Sequence, residues 1–151
     1  MSDFTPRDPD FDNKVRDSFA RQSAMQTVMA SVRSVEPGRV VFDFNPDASL
    51  RQQHGFVHAG IVSTVLDSAC GYAAFSLMPP DAAVLTIEFK INLLAPAQGD
   101  CFEAIGQVKK PGRTISVAEA ELFSIQGDTR KLIASMTGTL MTVMDRPDVV
   151  E

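Results

Sequence analysis

The 151-residue chain is 44% hydrophobic and 22% charged, the balance of a single globular domain with enough core to fold without disulfide staples. A net charge of −5 gives no help to nucleic-acid binding, and no apolar run reaches the ~20 residues that a membrane span requires. The acidic, proline-containing start has neither the basic nor the apolar region of a secretory signal, so the expected compartment is cytoplasmic. Cys70 and Cys101 lie far apart with no CxxC spacing and read as small, buried, reduced thiols.

Residues 1–10 and 145–151 read as loose tails. Phe11, Val15, Phe19 and Ser23 recur at four-residue steps, which predicts a helix from Phe11 to about Ala24, capped by Asp12 or Asn13. Gln26 to Glu36 reads as extended, Glu36-Pro37-Gly38 as a turn, and Arg39 to Phe44 as the returning strand. A loop follows Asn45-Pro46-Asp47 and runs to about Val57. Ala59 to Leu77 is small and apolar over most of its circumference and closes at Pro79-Pro80-Asp81. A helix of that kind belongs inside the fold.

Beyond it the pattern switches to period two. Leu85, Ile87, Phe89, Ile91 and Leu93 alternate with Thr86, Glu88, Lys90, Asn92 and Leu94. Cys101–Lys110, 114–125 and 131–144 predict three more strands, joined by Pro111-Gly112-Arg113 and Gly127-Asp128 hairpin turns. Strands joined by tight turns pair antiparallel, so the expected architecture is α+β, one long helix against an antiparallel sheet. No repeat or linker divides it, which predicts one domain over 1–151.

The chemistry concentrates between His54 and Asp67. His54 and His58 are four apart, but glycine stands where the HExxH motif has its glutamate and no third ligand is near, so no metal is expected. Ser63 and Ser68 lie outside any GxSxG elbow. Asp67 is the one ionisable side chain in the buried helix, and a carboxylate there needs a partner, a cavity or a task. The amides of Ala59, Gly60 and Ile61 at the helix start lack intrahelical acceptors and can face a developing oxyanion. His58 and Asp67 are nine residues apart, roughly 13 Å along a helix at 1.5 Å per residue. Both cannot touch one carbonyl from a single chain, so the spacing predicts a homodimer with two composite sites.

The run QQHGFVHAGIVSTVLDSACGYAA, followed by LTIEFKINLLAPAQGD, resembles the hotdog-fold acyl-CoA thioesterases of the phenylacetate-degradation type, within the 4-hydroxybenzoyl-CoA thioesterase superfamily. The likeness spans roughly Val28 to Val143. It implies a hotdog fold, an antiparallel sheet wrapped around the central helix, with an additional N-terminal helix. The family's loop carries asparagine, glycine and then His-Gly-Gly, with an acid nine positions after the histidine. Here Gln52 stands for the asparagine, Gly55 and His58 match, Ala59 replaces the first paired glycine, Gly60 matches the second and Asp67 is the acid.

By that resemblance Asp67 activates water or attacks the thioester carbon, and an amide at Ala59 or Gly60 of the facing subunit polarises the carbonyl. His58 orients the loop or assists the oxyanion, Gln52 and Thr86 position water, and Gly55 and Phe56 contact substrate. Phe56, Phe75 and Met78 are candidates for an acyl pocket. Lys109, Lys110 and Arg113 at the hairpin turn are candidates for the coenzyme A phosphates, or simply a solvated tip that protects a sheet edge. Coenzyme A enters as part of the substrate, with no cofactor, and self-association extends from dimer to a dimer of dimers. The competing readings are a non-catalytic acyl-CoA or lipid-binding hotdog protein and a hotdog dehydratase.

Overall fold

The computed structural model describes residues 3–149 and Glu151; Met1, Ser2 and Val150, part of the expected tails, lie outside the described residues. Helix α1 (Phe11–Arg21) buries Val15, Ser18 and Phe19. Its N-cap is Asp10, not the expected Asp12 or Asn13; Asp12 sits in the first turn, and Asn13 bonds to the Asp10 carboxylate at 2.7 Å. The helix does not run through to Ala24. Gln22 takes an extended conformation, and a second helix, α2 (Ser23–Val28), turns Met25 and Val28 into the core. The extended segment expected from Gln26 therefore starts later, after Met29 has ended α2 with φ of 59°.

The lead-in carries fixed contacts where a loose tail was expected. Phe4 packs against the core, and Asp8 is buried with Lys14 3.3 Å away. Lys14 also donates to the carbonyls of Met78 and Pro79 at 2.8 and 3.2 Å, tying α1 to the far end of the central helix. At the other terminus the Glu151 carboxylate accepts from the Ser18 hydroxyl and the Val84 amide.

Strands β1 (Ser31–Glu36) and β2 (Arg39–Phe44) form the expected hairpin around Pro37-Gly38. The central helix α3 (Ala59–Phe75) ends two residues before Leu77, where Ser76 donates to the Ala73 carbonyl and accepts from the Gly38 amide. Then come β3 (Ala83–Leu93), β4 (Cys101–Lys110), β5 (Ile115–Gln126) and β6 (Thr129–Val143). All six strands join one antiparallel sheet in the order β1-β2-β4-β5-β6-β3. This sheet packs along α3 from β2 to β3, the layout the resemblance implies.

Alternation decides which side of each strand meets the helix. Phe102, Ala104, Gly106 and Val108 of β4 point inward, as do Ala118, Ala120 and Leu122 of β5. At Gly106 the two backbones nearly touch, since a Cβ there would lie 2.1 Å from the Ala69 carbonyl oxygen. Cys70 is fully buried, and burial pushes its thiol up to about 12. Cys101 is only half-buried, because it falls on the outer side of β4.

Strand β3 departs from strict period two. Cross-strand partners share a face, and the register with β6 slips between Thr86 and Glu88. Thr86 pairs with the buried Leu140, while beyond the slip Phe89 pairs with Gly138, Ile91 with Met136 and Leu93 with Ala134. Thr86 therefore shares the helix-facing side with Phe89, Ile91 and Leu93, which an unbroken alternation would forbid. As the last strand in the sheet, β3 has one edge unpaired, and Leu85, Ile87, Phe89 and Leu93 are 43–54% exposed.

Candidate active site

The loop before α3 is a tight closed turn. Arg51 and Val57 form an antiparallel bridge, the Gln52 amide donates to the Phe56 carbonyl at 2.8 Å, and the Gly55 amide donates back to the Gln52 carbonyl at 3.0 Å. Gly55 has φ of 90°, a conformation that favours glycine. The Gln52 side-chain oxygen accepts from the His54 amide, and its Nε2 has no hydrogen-bond acceptor among the described residues. The loop is anchored below by Val57 N–H to the Ala97 carbonyl at 3.0 Å and by His58 N–H to the Leu50 carbonyl at 2.9 Å.

His58 is the N-cap of α3. Its Nδ1 accepts from the Gly60 amide at 2.8 Å, which in a neutral ring assigns the proton to Nε2 and turns that donor outward. The ring lies against Gly60, where a Cβ would come 3.0 Å from Nδ1 and 3.2 Å from Cε1. The His58 carbonyl takes the Ile61 and Val62 amides at 2.9 and 3.1 Å. Two of the three amides expected to be open are therefore occupied. The Ala59 N–H alone among them has no acceptor among the described residues, and Ala59 is exposed. It stands at the positive end of a 17-residue helix, where a developing oxyanion is favoured.

Two turns along α3, the Asp67 carboxylate is half-buried. The Thr86 hydroxyl donates to its Oδ1 at 2.8 Å, and its Oδ2 has no hydrogen-bond partner among the described residues. Burial pushes the carboxyl above the ordinary carboxylate range, and the Thr86 bond opposes that shift. Gln22, from the joint between α1 and α2, accepts the Ser68 hydroxyl at 3.1 Å and lines both small cavities beside Asp67. Nothing in the sequence singled out Gln22, since its role comes from a helix break 45 positions upstream of Asp67. Ser68 was weighed only as a nucleophile and serves here as a hydrogen-bond donor.

The candidate residues fall around different cavities. His58 and Ala59 rim a cavity of about 630 Å³ with Gln52 and Phe56. Asp67 and Thr86 share a pocket of about 100 Å³, and a groove of about 300 Å³ runs from Gly60 past Ser63 and Thr64 to Asp67. Phe56 does line the cavity beside His58, but Phe75 and Met78 do not: Phe75 is wholly buried and Met78 lies near the opposite end of α3. Lys109 is engaged by Glu119 at 2.9 Å, whereas Lys110 and Arg113 are exposed and form no ion pair among the described residues. His54 is exposed and holds the loop only through its backbone. Among the described residues no three His, Cys, Asp or Glu side chains gather in a way that could hold a metal ion, and no helix is long and apolar enough to cross a membrane.

Residues 54–131, just over half of the chain, match the sequence profile of the thioesterase superfamily. A thioesterase family protein from Silicibacter pomeroyi has 56% identity and a TM-score of 0.86, covering 87% of this chain and 97% of that one. The PaaI protein of the Escherichia coli phenylacetic acid degradation operon shares the fold at 20% identity and a TM-score of 0.78, covering 88% and 96%. A putative esterase of Halobacterium salinarum is 42% identical over 72 residues, spanning 46% of this chain and about half, 47%, of that relative. A 1,4-dihydroxy-2-naphthoyl-CoA hydrolase of Listeria monocytogenes is 26% identical across 72% of this chain and 85% of that protein.

Proposed function

This chain belongs to the thioesterase superfamily, and we propose that it hydrolyses acyl-CoA thioesters at sites built from two copies of itself. The observation that carries this reading is the separation of an unpartnered Ala59 amide from the half-buried Asp67 carboxylate, each opening on its own cavity along α3. The free edge of β3 and its exposed Leu85, Ile87, Phe89 and Leu93 support a second copy, since unpaired edge groups beside apolar side chains invite pairing. The name of the Listeria relative supports a coenzyme A ester as the substrate.

In this mechanism the thioester carbonyl lies over the Ala59 amide of one subunit. The Nε2–H of His58 and the free amide of Gln52 stand ready as further donors. Asp67 of the partner subunit, its Oδ1 steadied by Thr86, draws a proton from water as the oxygen bonds to the carbonyl carbon, or attacks that carbon itself. The carbon–sulfur bond breaks, the thiolate of coenzyme A leaves, and the proton held by Asp67 passes to it; where Asp67 has itself attacked, an acyl–Asp67 anhydride is left, water cleaves it to the free acid and protonated Asp67, and that proton passes to the thiolate. A thioester carbonyl is poorly stabilised by resonance, so one base and one oxyanion donor suffice; they typically contribute about 10²–10⁴-fold and 10²–10³-fold. Lys110 and Arg113 remain available for the phosphates, while Lys109 is held by Glu119.

Complementation tests the shared site. Asp67→Ala chains and Ala59→Pro chains, the second lacking the open amide at the first position of α3 where proline is tolerated, are each expected to be nearly inactive alone. Unfolded together in equal amounts and refolded, they should regain about a quarter of wild-type activity, because half of the random dimers carry one intact site of two. No recovery on co-refolding would remove the shared site. Tight acyl-CoA binding by the wild type with no turnover would favour a non-catalytic binder.

A further inference from the structure

The cavity of about 630 Å³ beside Ala59 takes its polar side chains from the loop before α3 alone, and the rest of its lining is apolar. Gln53 and His58 are exposed and Gln52 is partly so; all three belong to the loop before α3. The deep wall is Val57, Val62, Ala97, Ile133 and Ala134, each at most 8% exposed. Its backbone offers little that is free. Val57 N–H is taken by the Ala97 carbonyl, and the Leu94 and Ala95 amides both donate to the Ile133 carbonyl, at 2.9 and 3.2 Å. Leu93 and Leu94, 54% and 56% exposed, line it as well.

Resting on the thioesterase reading above, we infer that this cavity receives the acyl group itself and selects one that is hydrocarbon throughout, longer than acetyl and without a hydroxyl or charged substituent. Position argues for the acyl end: the cavity opens at the Ala59 amide, so a carbonyl held there directs one substituent into the apolar wall. The amide-bearing pantetheine arm would lose hydrogen bonds against that wall with nothing to replace them. A ring or chain hydroxyl would suffer the same loss, and a carboxylate a larger one. The pocket size suits a substituent well beyond two carbons.

The selectivity has a measurable slope. Each methylene moved from water into such a wall raises kcat/KM about fourfold until the cavity is filled. Wild-type protein is assayed with acetyl-, butyryl-, hexanoyl-, octanoyl-, benzoyl- and 4-hydroxybenzoyl-CoA, and binding of free butyrate and octanoate is measured by calorimetry. The expected result is a rise from acetyl to octanoyl and a preference of about tenfold or more for benzoyl over 4-hydroxybenzoyl. Ala134→Leu, which fills the deep end, should cut the octanoyl-to-butyryl ratio at least tenfold. Leu93→Ala, at an exposed position that spares the fold, should flatten the rise by a smaller factor. A uniform loss across all esters in Ala134→Leu would place pantetheine in the cavity and overturn the inference. So would an unchanged chain-length profile in both folded variants. If no acyl-CoA were turned over, the thioesterase reading would fall, while tighter binding of octanoate than butyrate, lost in Ala134→Leu, would still support an apolar acid site and its absence would refute it.

Discussion

Thr86 reaches Asp67 because β3 carries a bulge: its hydroxyl donates to Asp67 Oδ1 at 2.8 Å from a strand whose next helix-facing residue is Phe89, three positions on. Were the alternation regular through Ile87, Thr86 would stand on the opposite face from Phe89, Ile91 and Leu93. Bulges re-aim side chains in this way beside active sites. The bond does two things at once. It fixes the carboxylate's orientation, and it lowers a proton affinity that burial has raised.

Removing that hydroxyl separates the two effects. In Thr86→Val the carboxyl should rise further above the ordinary range, so the acid limb of the pH–rate profile moves to higher pH. At neutral pH we expect roughly a 10–100-fold loss in kcat, within the range for general-base assistance. Thr86→Ser should restore both the limb and most of the rate. A Thr86→Val profile that keeps the wild-type limb would show that the bond does not act on the base.

Asp67 itself should exchange stability for activity. Because burial raises its pKa in the folded chain, the folded state binds that proton more tightly than the unfolded state does. The resulting stabilisation is full below the unfolded-state value and is lost as pH rises through the folded-state value; above that the ionised carboxylate is a standing cost. Asp67→Asn keeps an oxygen to accept from Thr86 and carries no charge. It should lose about 10²-fold or more in activity yet melt higher than wild type near neutral pH, with the gap closing as pH falls toward the ordinary carboxylate range. Thermal melts across roughly pH 4–8, a window around those values, would decide it; a gap independent of pH would contradict the assignment.

The central helix and the late hairpins were legible in the sequence because period and turn chemistry are local. So was the separation of His58 from Asp67 along that helix, and the two line different cavities. Other features were not local. Gln22 breaks the N-terminal helix because Met25 and Val28 must turn into the core while the chain leads toward β1, a tertiary demand with no turn signal to announce it. The bulge in β3 is hidden by an unbroken apolar alternation from Leu85 to Leu93. The occupancy of the Gly60 amide depended on which ring nitrogen of His58 turned inward, which no spacing rule encodes. Lys109 read as a free cation until its cross-strand neighbour Glu119 was placed beside it.

His58 combines a cap with an outward hydrogen-bond donor, and substitution can part them. Asparagine can accept from the Gly60 amide as Nδ1 does but has no counterpart to the outward Nε2–H. His58→Asn should therefore stay close to wild type in urea denaturation, while His58→Ala loses about 1 kcal/mol, the usual worth of an N-cap. If both variants lose the same activity, the outward nitrogen assists the oxyanion. If His58→Asn stays fully active, His58 is a cap alone. Gly60→Ala should push the ring from its place, because the new methyl would stand 3.0 Å from Nδ1.

The free edge of β3 gives the last test, because it ties assembly to chemistry. Ile87 lies at the bulge and is 52% exposed, flanked by the exposed Leu85 and Phe89. Lysine or other charge on an edge strand opposes pairing; β3 carries Glu88 and Lys90 exposed, but Leu85, Ile87 and Phe89 between its start and Lys90 offer apolar surface. Ile87→Lys should therefore weaken pairing between copies without entering the core of either. Light scattering at micromolar concentration should show wild type at twice the chain mass or a multiple of it, and the variant shifted toward monomer. Activity per chain should fall about 10²-fold or more, since each Asp67 then loses the facing Ala59 amide that stabilises the oxyanion, and it should recover as protein concentration is raised. A monomeric Ile87→Lys protein with full activity would mean that one chain holds a complete site, and the division of labour along α3 would have to be abandoned.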